Sequence, residues 1–310
     1  MTFDFDKAAR ALREACPDLS LRVREPMAAH TSFRIGGPAA LMAFPASIEE
    51  LCLCRRIAEE RELPVLFIGN GTNLLAPDEG LAALVVCTAG LSALTQTGKT
   101  EITAACGVSL ARLAVFARDL GLAGLAFAHG IPGTVGGAVC MNAGAYGGEM
   151  KDVVVESEYL AADGKLRTLP GSEHDFSYRH SFFQENGGLV LKTRFRLTVG
   201  DRAVIGEEMA ALAEKRRAKQ PLEFPSAGSA FKRPPGHFAA ALIDQCGLKG
   251  CSVGGAQVSE KHAGFLINRG NATCADMLRL MGHVRDTVLR ETGVLLEPEI
   301  RILRSDMREV

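Results

Sequence analysis

Alternating apolar and polar stretches divide the first 120 residues into helices and strands. Ser47-Ile-Glu-Glu50 has the capping-box pattern that opens a helix, and the apolar run from Pro64 to Ile68 predicts a buried strand. The elements predicted here are a helix from Ser47 to about Glu62, strands at Pro64–Ile68, Ala82–Cys87 and about 100–106, and a helix at about 110–120. This alternation predicts an α/β or α+β domain.

After residue 150 the hydrophobic pattern predicts a second series of elements. These are strands at Val153–Leu160 and Leu189–Leu197, helices at about Val204–Lys219 and Phe238–Cys246, a last helix that carries Met277, Leu280 or Met281, Val284 and Val288 and ends at Gly293, and a strand at Val294–Leu303. In the last strand, Glu297, Glu299 and Arg301 share one face. Pro298 places that strand at an edge or at its start.

Residues 121–150 interrupt the pattern, because they hold nine of the chain's 33 glycines. Glycine weakens helices and strands alike, so this stretch cannot be a good helix or strand throughout, and we interpret it as a long loop. A long glycine-rich loop in a compact domain is usually functional. The alternative is a buried crossover that needs small residues.

The composition is that of an ordinary globular protein, with 47% hydrophobic and 23% charged residues. A length of 310 residues predicts two or three packed units, and the second begins near residue 200. Lys and Arg number 35 against 36 Asp and Glu, so no overall field favours nucleic acid or a membrane. The N-terminus lacks a leader pattern and no apolar run is long enough to span a bilayer, which predicts a cytoplasmic protein.

Nine cysteines are scattered along the chain without a CxxC pair. Their odd number predicts reduced thiols, and we expect them to be buried and inert rather than metal ligands. Cys52 and Cys54 lie two apart on a predicted helix, so they face different sides and cannot share a metal ion. No metal site is predicted.

Two further segments have residues suited to anions. The loop Gly69-Asn-Gly-Thr-Asn73 follows a strand and can cradle a phosphate with its amides, although an ordinary tight turn is the alternative. Residues 211–240 hold an excess of basic side chains, which a diphosphate or carboxylate ligand would need. Those side chains are Lys215, Arg216, Arg217, Lys219, Lys232 and Arg233. The alternative is a solvated helix face.

Eight motifs, taken together, resemble the UDP-N-acetylenolpyruvoylglucosamine reductase (MurB) family, and they follow in that family's order from about residue 25 to 303. Four resemble its flavin-binding signature: Ser32-Phe-Arg-Ile-Gly-Gly-Pro38, Gly69-Asn-Gly-Thr-Asn73, Gly130-Ile-Pro-Gly-Thr-Val-Gly-Gly-Ala138 and Met141-Asn-Ala-Gly-Ala-Tyr-Gly147. Four lie downstream: Tyr178-Arg-His-Ser181, Ser226-Ala-Gly-Ser-Ala-Phe-Lys232, Leu242-Ile-Asp-Gln-Cys-Gly-Leu-Lys-Gly250 and Leu296-Glu-Pro-Glu-Ile300. One such string is weak, whereas eight in order are very specific.

The resemblance implies an α+β fold of the vanillyl-alcohol-oxidase (PCMH) type, with two α+β subdomains that bind FAD and a C-terminal α/β substrate-binding domain. The implied division is an N-terminal segment at 1–33, the FAD-binding domain at 34–199 and the substrate domain at 200–310. The implied reaction is the NADPH-dependent reduction of UDP-N-acetylglucosamine enolpyruvate through non-covalent FAD, in peptidoglycan precursor synthesis. A monomer that binds neither nucleic acid nor a membrane is expected.

The resemblance also implies residue roles. Arg179 resembles the arginine that steadies the developing enolate, Ser229 the proton donor, and Glu299 the carboxylic partner of that arginine. The implied flavin-binding residues are Gly69, Asn70, Gly71, Thr72, Asn73, His129, Gly130, Pro132, Gly133, Gly136, Gly137, Asn142, Gly144 and Ala145. The implied substrate-binding residues are Lys219, Lys232, Arg233, Lys249 and His262, of which His262 is typical of the shorter, second-type variety.

Two positions depart from the family pattern. Ala126 stands where relatives often have Glu, and Ala230 replaces a bulkier residue, so local packing is expected to differ. Two other functions are left open: another flavin oxidoreductase of the same fold, and a non-catalytic UDP-sugar sensor. Oxygen consumption with simple alcohols would indicate the first, and a colourless, flavin-free protein the second.

Overall fold

A computed structural model describes residues 3–306 of the chain. The first two residues of the N-terminal segment and the last four of the predicted substrate domain lie outside the described residues. The helices are α1 (Phe5–Ala15), α2 (Ile48–Glu60), α3 (Leu110–Asp119), α4 (Val135–Cys140), α5 (Phe182–Glu185), α6 (Arg202–Lys219), α7 (Ala239–Gln245) and α8 (Cys274–Thr292).

The strands between these helices are mostly short. They are β1 (Ser20–Pro26), β2 (Pro38–Phe44), β3 (Val65–Ile68), β4 (Leu74–Leu75), β5 (Leu81–Cys87), β6 (Leu94–Gly98), β7 (Glu101–Ala105), β8 (Leu122–Ala123), β9 (Gly144–Ala145), β10 (Gly148–Glu149), β11 (Val154–Leu160), β12 (Leu166–Pro170), β13 (Leu189–Arg196), β14 (Thr198–Val199), β15 (Ser226–Ser229), β16 (Ser252–Val253), β17 (Ala256–Val258), β18 (Phe265–Asn268) and β19 (Arg301–Ile302).

Three larger sheets organise these strands. A five-stranded sheet has the order β12-β11-β13-β7-β6, and its neighbours pair antiparallel. A four-stranded sheet has the order β1-β2-β5-β3, in which β3 and β5 run parallel. A second four-stranded sheet, β15-β18-β17-β16, is antiparallel, and α8 packs against β16 and β17. The predicted mixture of helices and sheets is confirmed.

The chain forms two compact units. The first comprises Met1–Arg22, Leu41–Asn70 and Leu84–Arg216, and the second comprises Val23–Ala40, Gly71–Ala83 and Arg217–Val310. One buried cluster of the first unit centres on β7, β13, α3 and α4, and a smaller one lies between α1 and α2. The second unit has a cluster built on α7, α8 and its antiparallel sheet. The three domains expected from the sequence stay a prediction.

Local signals explain where the predicted helices begin and end. The Ser47 hydroxyl accepts a hydrogen bond from the Glu50 N–H at 3.2 Å and so caps α2. At α8, Thr273 and Asp276 form a reciprocal capping box, and the helix ends at Gly293 with a left-handed φ of 74°. In the strand predicted at 189–197, four alternate positions are buried: Leu191, Thr193, Phe195 and Leu197.

Two expectations about regular structure were wrong. The glycine-rich stretch is not a loop throughout, because it contains α4, where a Cβ on Gly136 would lie 2.8 Å from the Cys106 Cβ. Glycine is therefore needed there for close packing rather than for a flexible loop. The final strand is shorter than predicted and covers Arg301–Ile302, with one isolated bridge between Phe231 and Pro298. Pro298 has no N–H to donate to a ladder, which limits the pairing.

The nine cysteines are free thiols. Burial raises the pKa of the Cys54, Cys106 and Cys274 thiols to about 12. The expectation that all nine are buried was wrong for five that are partly exposed: Cys16, Cys52, Cys140, Cys246 and Cys251. Within residues 3–306, no group of three or more His, Cys, Asp or Glu side chains could hold a metal ion, and no helix there has the length and apolar character to cross a membrane.

Candidate active site

The boundary between the two compact units falls inside the loop after β3, between Asn70 and Gly71. In the first unit, Gly69 packs so closely on Thr134 that a Cβ would lie 2.2 Å from its hydroxyl oxygen. In the second unit, Gly71 has a φ of +59°, and a Cβ there would lie 2.0 Å from the His30 carbonyl oxygen. Both glycines are thus required by the shape of the loop.

The second half of this loop is joined to the segment that carries Glu299. The Asn73 side-chain amide donates a hydrogen bond to the Glu299 carbonyl at 3.0 Å, and the Arg301 N–H donates to the Asn73 carbonyl at 3.0 Å. Strands β4 and β19 continue the contact as a parallel pair, with Arg301 opposite Leu74. A candidate cofactor loop and a candidate catalytic residue therefore share one hydrogen-bonded frame.

Ser32 opens one of the motifs that resemble the flavin-binding signature, but the sequence analysis assigned no role to its hydroxyl. Its N–H donates to the Gly71 carbonyl at 3.1 Å, so the residue lies beside the candidate flavin loop. Its Oγ is buried and has no hydrogen-bond partner among the described residues. Leaving a buried hydroxyl unsatisfied costs about 1–3 kcal/mol, so a bound polar group at this loop would be stabilised by it. The residues present thus fit a ligand with phosphate or hydroxyl oxygens.

Most of the other candidate flavin residues belong to the first unit, and nine of them lie in its glycine-rich segment. Gly130 lies against the Arg216 side chain, since a Cβ there would be 2.7 Å from the Arg216 Nε. Arg216 also lies over the Tyr146 ring at 5.7 Å, and burial lowers its pKa while the Tyr146 hydroxyl raises it. The candidates in this unit are Gly69, Asn70, His129, Gly130, Pro132, Gly133, Gly136, Gly137, Asn142, Gly144 and Ala145.

The surroundings of His129 favour its neutral form. Burial is the largest cause that lowers its pKa, and the charges of Arg118 and Arg216 add to it. A neutral imidazole can donate one hydrogen bond and accept another. The residue can therefore contact a ligand, but it adds no positive charge to this segment.

Arg179 lies on a tight turn of the first unit. The N–H of Ser177 donates to the His180 carbonyl at 3.2 Å, and the His180 N–H donates back at the same distance. Arg179 has a left-handed φ of 57°, and its guanidinium lies 5.2 Å from the Tyr178 ring centroid. A non-glycine residue with this backbone is uncommon and is held by its surroundings.

Ser229 and Glu299 lie on neighbouring segments of the second unit. Ser229 ends β15 opposite Phe265 of β18, and the following Ala230 N–H donates to the Gly264 carbonyl at 2.8 Å. The Ala230 carbonyl accepts from the Glu299 N–H at 2.9 Å. The structure therefore brings two of the three candidate catalytic residues together, whereas the convergence of Arg179 with them stays a prediction.

Three of the candidate substrate residues, Lys219, Lys249 and His262, form a group in the second unit, called here the cationic group. Burial, followed by the charges of Lys249 and Lys219, lowers the pKa of His262. The His262 Nδ1 accepts from the Gly264 N–H at 3.2 Å, so in the neutral ring Nε2 carries the proton and can donate to a ligand. This arrangement presents two ammonium groups and one neutral donor to an anion.

The other two candidate substrate residues are partly occupied by protein contacts. The Lys232 Nζ lies 3.6 Å from the Glu297 carboxylate. The backbone N–H of Lys232 donates to the Glu297 carbonyl at 2.8 Å. The Arg233 guanidinium lies 4.0 Å above the ring of Phe238, which is 59% exposed. Lys249 likewise pairs with Asp244 at 2.7 Å. A bound anion would compete with these exposed ion pairs, which are individually weak.

Comparison with known proteins gives consistent matches over most of the chain. Residues 220–303 match the family described as UDP-N-acetylenolpyruvoylglucosamine reductase, C-terminal domain, and residues 39–170 match the FAD binding domain family. The chain is 49% identical to the UDP-N-acetylenolpyruvoylglucosamine reductase of Agathobacter rectalis over 306 residues, or 95% of this chain and 97% of the relative. It is 45% identical to that of Latilactobacillus sakei over 94% and 96% of the two chains.

Among solved structures, the chain is similar to the UDP-N-acetylenolpyruvylglucosamine reductase (MurB) of Thermus caldophilus. The TM-score is 0.78 at 34% identity, and the match covers 92% of this chain and 98% of that one. The FAD-binding fold with a C-terminal domain, expected from the motifs, is therefore confirmed.

Proposed function

Since the chain belongs to the UDP-N-acetylenolpyruvoylglucosamine reductase family, we propose that it reduces UDP-N-acetylglucosamine enolpyruvate to UDP-N-acetylmuramate with NADPH and FAD. The reaction belongs to peptidoglycan precursor synthesis, and so to building the cell wall that shape and division depend on. The observation that carries the proposal is a set of hydrogen bonds that joins three segments of the second unit. It joins Asn73 of the candidate flavin loop to Glu299, and Glu299 to the segment that follows Ser229.

The proposed cofactor site fits the residues present. The backbone amides around Gly69–Asn73, the orphan hydroxyl of Ser32 and the candidates of the glycine-rich segment would hold FAD. FAD, when bound, carries hydride from NADPH to the substrate.

The chain's own residues would complete the reaction at the neighbouring carbon. The enolpyruvyl group has a double bond conjugated to a carboxylate, so hydride addition at the terminal carbon leaves negative charge as an enolate. Arg179, with Glu299 as its partner, would stabilise that developing charge, which is the largest electrostatic contribution. The Ser229 hydroxyl would then protonate the carbon next to the carboxylate.

The cationic group would hold the rest of the substrate. The charges of Lys219 and Lys249 both act on His262, so these three residues suit a diphosphate. Lys232 and Arg233 lie in the loop that continues from Ser229 and would add charge at its edge. We also propose a monomer, and a reducing compartment such as the cytoplasm, which suits nine cysteines that form no disulfide bond among the described residues.

The purified protein is expected to contain non-covalent FAD and to oxidise NADPH beyond one equivalent per flavin only when the enolpyruvyl substrate is present. Acid precipitation should release the flavin into the supernatant, and one NADPH should be consumed per UDP-N-acetylmuramate formed. Flavin retained in the pellet would contradict the non-covalent attachment. Oxygen consumption with simple alcohols would instead favour an oxidase, and a colourless protein that binds UDP-sugars would favour a sensor.

Substituting Arg233→Ala is expected to raise the substrate KM about ten- to hundred-fold, since a charge-assisted hydrogen bond is worth about 1.5–3 kcal/mol. Flavin reduction by NADPH should stay nearly unchanged, because the residue lies with the candidate substrate group. Steady-state kinetics would measure the first quantity and stopped-flow absorbance the second. Arg202→Ala is the matched control, since Arg202 is an exposed arginine paired with Asp119. An unchanged KM would make Arg233 a solvated surface residue.

A further inference from the structure

The turn that carries Arg179 is fixed from outside by two side-chain amides. The Gln184 Nε2 donates to the Arg179 carbonyl at 2.8 Å and to the Cys140 carbonyl at 2.9 Å. At the other end of the turn, the Asn142 Nδ2 donates to the Ser177 carbonyl at 3.0 Å. Each amide thus joins the turn to residues 140–142, at the end of α4.

The side-chain amide of Asn142 is occupied by hydrogen bonds within the protein. Its Nδ2 also donates to the Glu149 carboxylate at 2.7 Å, and its Oδ1 accepts from the Lys151 N–H at 3.0 Å. The residue is 1% exposed and has a left-handed φ of 41°. Its side chain is therefore a link between the glycine-rich segment and the Arg179 turn, so a contact with flavin would have to come from its backbone.

Gln184 differs because its side chain is exposed, on the short helix α5. An exposed glutamine is usually replaceable, since water can satisfy both its amide and the carbonyls it meets. Here, however, the acceptor is the carbonyl of a residue held in the left-handed region, at a φ of 57°. A left-handed residue other than glycine persists only where its surroundings hold it, and the Gln184 amide is such a contact.

We propose that Gln184 is a positioning residue for Arg179, with Asn142 as the fixed support at the opposite end of the turn. The inference rests on the proposed function in that Arg179 is taken to stabilise the enolate. Gln184 touches neither reacting group. Loss of its amide would let the turn relax and would slow the step that needs Arg179, while flavin binding and flavin reduction by NADPH would continue.

The test uses Gln184→Leu, which keeps the size of the side chain and removes its donor, in the FAD-bound full chain. Reoxidation of the reduced flavin by the enolpyruvyl substrate should slow about tenfold, equivalent to about 1.4 kcal/mol. Gln184→Lys, which restores a donor, should recover most of the rate. Gln96→Leu is the control, because Gln96 is an exposed glutamine that donates to the Lys99 carbonyl in a remote turn.

Two further measurements separate this inference from the proposed function. In an Arg179→Ala background, Gln184→Leu should have no additional effect on reoxidation, because one residue acts through the other. Independent effects that multiply would overturn the positioning role while leaving that of Arg179 intact. Amide hydrogen exchange at Ser177 and His180 should be about tenfold faster in Gln184→Leu, whatever reaction the protein catalyses. Unchanged exchange would overturn the inference even if activity fell.

Discussion

Replacing Ser229 by alanine is expected to slow reoxidation of the flavin by the enolpyruvyl substrate by about 10²- to 10⁴-fold, the contribution of a positioned acid. The reason is that the carbon next to the carboxylate then lacks its proton donor. Reduction of the flavin by NADPH precedes that step and should proceed at close to the parent rate. Stopped-flow absorbance of the flavin follows each half-reaction separately.

Two variants make the Ser229 result specific. Ser229→Cys should restore part of the rate, because a thiol is a donor of similar size. Ser226→Ala changes a hydroxyl on the same strand, where Ser226 pairs with Ile267, and should leave both half-reactions unchanged. If Ser229→Ala lost both half-reactions equally, the residue would have a structural role. Reoxidation at the parent rate would require the proton to come from water or from Glu299.

Replacing Gly71 by alanine is expected to weaken FAD binding on the order of 100-fold. Holding alanine in the left-handed region costs about 1–3 kcal/mol, and the new Cβ would lie 2.0 Å from the His30 carbonyl oxygen. Because that oxygen belongs to the backbone, the loop itself must shift, and its amides would no longer surround the phosphates. Fluorescence titration of the apoprotein with FAD measures the change.

Gly293→Ala separates the two contributions to the Gly71 result. Gly293 also has a positive φ, of 74°, but a Cβ there would meet no atom within 4 Å. This variant should lower stability modestly and bind FAD within about threefold of the parent, since only backbone strain is introduced. Equal flavin affinity in Gly71→Ala and the parent would mean that the loop does not contact the cofactor.

The regular elements could be predicted where a local signal marks them. Helices α2 and α8 have capping residues at their starts, and the apolar runs of β3 and β5 are long enough to need burial. Strands β1, β2 and β6 were missed, although Leu21 and Val23 of β1 alternate with Arg22 and Arg24. The helix α4 was missed because its glycines are dictated by the approach of Cys106, a tertiary contact that a sequence pattern cannot display.

The residue types of the candidate site could be predicted from the sequence, but their positions relative to one another could not. Ser229 and Glu299 belong to separate motifs, and only the hydrogen bond between Glu299 and Ala230 places them side by side. Ser32 belongs to a recognised motif but was given no role from the sequence, and Gln184 was not noticed, because serine and glutamine are common on surfaces. Their importance comes from what surrounds them: a buried, unpartnered hydroxyl in one case and a left-handed neighbour in the other.

The pairing of β4 with β19 has a consequence for biosynthesis. Asn73 and Glu299 are 226 positions apart, so the second unit gathers its parts from the beginning, the middle and the far end of the chain. Contacts of such long sequence separation form slowly and only after loop closure. During translation, the Gly69–Asn73 loop leaves the ribosome long before β19 has been made. Helices and hairpins of the first unit can already form by then. A nascent chain that stops short of Arg301 would thus lack the strand that supports the candidate cofactor loop, and we expect it to bind flavin only after Arg301 has been added.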